Sequence, residues 1–173
     1  GVVYIIGIVG VFACLLWVVL LYNGMAMRIF SDYGINVMGR DVLTNYFISR
    51  TQFSISFAGW GMASTTKVLE SVTVADLGNM ASVRGLHNDI LKVYIDFGFI
   101  GSLLWYIYNW IYFPTKLLKF SGNKNTMLYL ALIIYTFVCY LTSNIETSFV
   151  FQVILCCIPL YVSMNYEELI ANY

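Results

Sequence analysis

Charge is what this sequence has least of: 9 Lys plus Arg stand against 9 Asp plus Glu in 173 residues, only 10% of positions, with a formal net charge of zero. Soluble domains carry about 25% charged residues. The shortfall argues against a water-soluble enzyme and a disordered tail, and the absence of a basic excess argues against any nucleic-acid partner. Histidine occurs once, at His87, and the four cysteines, Cys14, Cys139, Cys156 and Cys157, form no C-x-x-C pair. Zinc-type spacing is therefore missing, and neither a metal nor another cofactor is expected. Each thiol falls in an apolar run, where it reads as a small buried hydrophobe. Hydrophobic residues are plentiful instead, at 60%, with 17% aromatic and a mean hydropathy of +0.78. The class expected is an all-α integral membrane protein. Because Gly1 already lies inside an apolar run, the chain reads as the C-terminal part of a longer polytopic protein.

Spans show as gaps between charges, since a helix needs about 20 mostly apolar residues to cross a hydrocarbon core roughly 30 Å thick. Four gaps qualify: 1–22, 97–115, 125–145 and 147–166. Backbone in lipid must satisfy its own hydrogen bonds, so each should be helical. The second is expected as a helix over 89–113 that enters and crosses the membrane and breaks at Pro114. A cleavable leader is a poorer reading of the first run, which lacks a basic start and exceeds the roughly 7 to 15 residues of a leader's apolar region. Lys116, Lys119 and Lys124 fill the connection PTKLLKFSGNKN with no acid among them. Short basic connections stay in the cytoplasm, which places the long segment 23–88 on the outer face and the tail after Tyr166 inside.

That outer segment holds Arg28, Asp32, Arg40, Asp41, Arg50, Lys67, Glu70, Asp76 and Arg84, nine of the eighteen charges, together with the lone histidine. Within it DVLTNYFI has apolar residues at 42, 43, 46 and 47, the spacing of a short surface helix. SISFAGWGMAS turns at Gly59 and Gly61, and TTKVLESVTVADLGNMASVRG is open between short helix and loop. Gly59-Trp60-Gly61 lacks the third glycine and the preceding strand of a dinucleotide site, and Asp96-Phe97-Gly98 lacks the rest of a kinase; both matches are chance. Asp96 stands four residues after Lys92, where a partial ion pair would ease its position at the membrane interface.

Arg84-Gly85-Leu86-His87-Asn88-Asp89 leads from the outer segment into the second span. Asn88 or Asp89 is a candidate N-cap, which would leave His87 outside the positive end of the helix. There an imidazole tends to be neutral and able to accept a proton. The same end, with Arg84, could hold an anion such as a phosphate. Arg40, after Gly39, offers a planar fork of donors that matches phosphate oxygens. Packing and snorkelling compete with these roles, and they are the favoured reading for Arg28, Arg50 and Lys67.

Gly39-Arg40 soon after a span, the turn at Gly59 and Gly61, the His87-Asn88 pair and the Gly98 to Gly101 pair in the block LHNDILKVYIDFGFIG occur in an order that resembles the bacterial O-antigen ligase and O-antigen polymerase superfamily. The resemblance runs from the outer segment to the end of the chain. It implies a polytopic helix bundle, about four transmembrane helices of it here, with a long outer-face loop, like type C glycosyltransferases in the bacterial inner membrane. It implies a polyprenyl-diphosphate-linked oligosaccharide as donor, a second glycan as acceptor, no metal ion, and a chain-length regulator protein as a further partner. By the same resemblance His87 is the base that activates the acceptor hydroxyl, and Arg40, with Arg84 and Asn88, binds the diphosphate donor. Gly98 and Gly101 are expected to let another helix approach closely. The family pattern also has an arginine on an earlier span, which this chain does not contain, so the piece alone is expected to be inactive. Polymerase and ligase remain unseparated, and a transporter or flippase for lipid-linked glycans is the alternative of another class.

Overall fold

The structure, a computed structural model, describes residues 1–34, 40–73, 86, 88–140 and 157, with Arg40 and Tyr140 described by backbone alone. Helix is the regular structure of these residues, and no strand occurs among them. The expected span 147–166 lies outside the described residues except for Cys157. Helix α1 spans Val2–Tyr22 and is apolar on every face, which suits a helix able to cross a membrane. Val3, Gly7, Gly10, Cys14, Val18 and Leu21 turn inward, while Val2, Ile5, Val9, Phe12 and Leu16 are exposed on the opposite stripe. Two shorter helices follow, α2 at Met25–Asp32 and α3 at Arg40–Ile48, the latter where apolar spacing predicted one. Helix α4 spans Ser64–Ser71 and resolves part of the stretch left open between helix and loop.

Helix α5, Asp89–Ile107, is interrupted rather than continuous. Gly98 has φ 71° and ψ −174°, a conformation essentially restricted to glycine. The interruption turns the chain back on itself: the Tyr106 hydroxyl donates to the Ile90 carbonyl at 3.0 Å although the two stand 16 positions apart. An unbroken helix would separate them by about 24 Å. Residues 89–97 and 99–107 thus lie side by side. The first piece is buried from Asp89 to Asp96 except for the half-buried Lys92, and it forms the centre of the molecule.

Pro114 does not break the helix as expected. Proline lacks the N–H that the Trp110 carbonyl would accept from. The chain passes through a π-helical turn, Tyr108–Tyr112, whose following residue Phe113 donates to the Tyr108 carbonyl, and continues helical. The Trp110 carbonyl faces α1 instead, where a side chain on Gly7 would begin 2.5 Å from it. Glycine there lets the two elements touch along their backbones.

Helix α6 spans Phe113–Tyr140, so the basic connection predicted as a loop is helical on both sides of Gly122. Gly122 repeats the conformation of Gly98, with φ 70° and ψ −174°. Phe113 packs against Tyr129 with ring centroids 4.8 Å apart and the planes tilted by 51°, and Trp110 meets Phe137 at 5.9 Å. Contacts symmetric about Gly122 define an antiparallel hairpin. By length and composition two helical runs can cross a membrane: the 21-residue Val2–Tyr22, and the 51-residue run Asp89–Cys139 that Gly98 and Gly122 fold into three pieces.

Candidate functional site

A helix that stops at Gly98 exposes carbonyls at the end of its first piece and N–H groups at the start of its second. In apolar surroundings these need partners. The outer segment supplies them. Trp60 and Gly61 donate their N–H groups to the carbonyls of Ile95 and Asp96, each at 2.9 Å, and the Phe99 N–H donates to the Phe57 carbonyl at 2.9 Å. Such proximity requires glycine on both sides. A side chain on Gly59 would begin 2.7 Å from the Asp96 carbonyl oxygen, and one on Gly98 would begin 2.6 Å from the Gly59 nitrogen. Two glycine features that sequence spacing held far apart therefore form one crossing. The close approach expected at Gly98 is made by this loop and not by another helix, and Gly101 is met by Phe97 of its own chain.

Asp96 fixes the crossing from below. Its carboxylate accepts the Ser64 hydroxyl at 2.7 Å, the Thr65 N–H at 2.9 Å and the Thr65 hydroxyl at 3.3 Å, and so caps the first turn of α4. A buried carboxylate is tolerated when hydrogen bonds of this kind replace water, and a helix N-terminus favours its charge. These partners come from another helix, 31 and 32 positions away. Tyr94 fixes the crossing from the side. Its hydroxyl donates to the Gln52 carbonyl and accepts the Ser54 N–H, both at 3.0 Å, and its ring stacks on Phe53 and Phe57 and meets Tyr22 edge-on. Phe47 of α3 reaches Trp60 at 6.1 Å between centroids, so α3 belongs to the same assembly.

Of the residues expected to carry chemistry, Asn88 is the one described with its side chain. Asn88 is the N-cap of α5, buried, with its side-chain oxygen accepting the Leu91 N–H at 3.0 Å. That oxygen is committed to the helix. Asp89, in the first turn, is fully buried. Its carboxylate sits where the helix field favours an anion, and any phosphate docked at this end would meet it. His87 and Arg84 lie outside the described residues. The chain neighbours of position 87, Leu86 and Asn88, are both buried. Arg40 opens α3, whose Leu43 and Phe47 enter the core, and only its backbone is described.

Asp96, Tyr94 and the Gly59–Gly98 crossing were not legible as a site, because none of their partners is near in sequence. The punctuation at Gly59, Gly61 and Gly98 was the signal that existed. Among the described residues no group of three or more His, Cys, Asp and Glu could hold a metal. No family model, no curated protein and no solved structure matches the chain.

Proposed function

We propose that the chain belongs to a surface-polysaccharide polymerase of the bacterial cytoplasmic membrane, which joins O-antigen or capsule repeat units by moving a glycan from a polyprenyl-diphosphate donor to an acceptor hydroxyl on the outer face. In this reading His87 accepts the proton of the acceptor hydroxyl. Arg40 and Arg84, with the amide of Asn88, hold the diphosphate, whose charge grows as the bond from sugar C1 breaks. Fixed cations then contribute most in the transition state, and a positioned base adds about 10² to 10⁴-fold. The four-span topology is part of the same proposal; at about 1.5 Å per residue the arm 99–121 is long enough to cross a roughly 30 Å core, and 123–140 matches most of it.

The observation that carries the reading is the block LHNDILKVYIDFGFIG in its order behind Gly39-Arg40 and Gly59 to Gly61. The crossing of Gly59 with Gly98 supports it, since two parts of that pattern depend on each other for their backbone hydrogen bonds. Deleting the gene tests it. Loss of long surface chains with single-unit caps retained is the expected outcome. Loss of all attached glycan with lipid-linked polymer accumulating would mean a ligase or protein O-oligosaccharyltransferase of the same superfamily.

A carrier for lipid-linked glycans is favoured by one feature, a broken helix with a buried carboxylate in a membrane-length run. Asp96 argues the other way, because its oxygens are engaged by α4 and serve as a fixed cap.

A further inference from the structure

No charge occurs between Arg50 and Lys67, although the surrounding segment holds half of the charges in the chain. The irregular part of this stretch turns apolar side chains outward: Ile55 is 71% exposed and Met62 76%, and Phe53 and Trp60 are exposed as well. At Ser54, Phe57, Trp60 and Gly61 its backbone, by contrast, is tied to protein. The Ser54 N–H donates to the Tyr94 hydroxyl, the Phe57 N–H to the Ser54 carbonyl, and Trp60, Gly61 and the Phe57 carbonyl bond across the Gly98 break. A loop in water gains little from that combination, because water serves its backbone and polar side chains face outward. Hydrocarbon favours it. Irregular backbone at membrane depth survives only when protein satisfies it, and apolar side chains are at home there.

Position agrees with composition. The loop crosses α5 between Phe97 and Ile100, both exposed, at the head of the outward face that continues along the second piece of α5. That face belongs to a run long and apolar enough to cross a membrane. At the loop's near end Arg50 lies 3.6 Å over the Tyr46 ring and donates to the Tyr46 carbonyl, an anchoring of the kind found at a membrane surface.

We propose that residues 53–62 form a re-entrant membrane segment, which dips into the acyl region from the side of α3 and α4, wedges its backbone into the broken helix and returns to the same side, with Ile55 and Met62 among lipid acyl chains. The occupant of this surface is hydrocarbon, and the assignment stands apart from the reaction proposed above. Site-directed spin labelling tests it in the full-length protein, with the native cysteines replaced by alanine, in phosphatidylcholine and phosphatidylglycerol vesicles. Labels at Ile55→Cys and Met62→Cys should be broadened more by oxygen than by a water-soluble nickel chelate, with the order reversed at the exposed Glu70→Cys. Nickel-dominated broadening at 55 and 62 would overturn the proposal. So would shielding from both reagents, which would mean a protein partner. A variant retaining Trp60 alone among tryptophans gives an independent reading without new cysteines: brominated phosphatidylcholine should quench its emission, and unquenched emission counts against insertion.

Discussion

Gly98 and Gly122 share one backbone conformation but not one environment, and that contrast isolates what the crossing contributes. Alanine at either position must adopt a glycine-only region, at a cost of about 1–3 kcal/mol. Around Gly122 a new side chain meets nothing within 4 Å, whereas at Gly98 it strikes the backbone of the loop. Gly98→Ala should therefore lower the thermal midpoint in detergent clearly more than Gly122→Ala does, and Gly59→Ala should resemble Gly98→Ala. Equal effects at 98 and 122 would mean that the loop does not pack there. Asp96 permits a second comparison. Asp96→Ala leaves the buried Thr65 N–H without its acceptor, at about 1–3 kcal/mol, while Asp96→Asn keeps one oxygen and should lose less by the same measurement.

Among elements, the helix beginning at residue 89 shows how far local patterning reaches. Asn88 was readable as a cap because a cap is a local device, satisfied three residues on by Leu91. The start of α3 near Arg40 and the extent of α1 were readable for the same reason, from apolar spacing and length. The break at Gly98 was not, because helical residues flank it on both sides and the groups that satisfy it come from residues 57–61. Pro114 misled in the opposite direction. A proline predicts a stop, but the π turn before it redirects the bonding and Gly7 of α1 makes room for the carbonyl left over. Gly7→Leu should then push α1 away from the π turn and cost about 1–3 kcal/mol by overpacking, read as a lower thermal midpoint. Leucine on the exposed stripe, as in Val9→Leu, should leave that midpoint nearly unchanged.

For the whole molecule, composition alone indicated a membrane protein, and the described residues, with helix as their regular structure and two membrane-length runs, agree at that level. Which chain segments gather around residues 89–97 could not be read beforehand, since α1, α3, α4 and the loop between the last two converge through contacts of long sequence separation. The chemistry proposed needs a base and fixed cations that the sequence offers at His87, Arg40 and Arg84. It does not depend on the interior crossing for protons or charge, only for position. Elongation of a polyprenyl-diphosphate-linked repeat unit by the purified full-length protein in vesicles is the most direct measurement. The account predicts that His87→Ala and Arg40→Ala each abolish elongation while the protein remains folded and present at normal abundance, and polymer of ordinary length from either variant would contradict it.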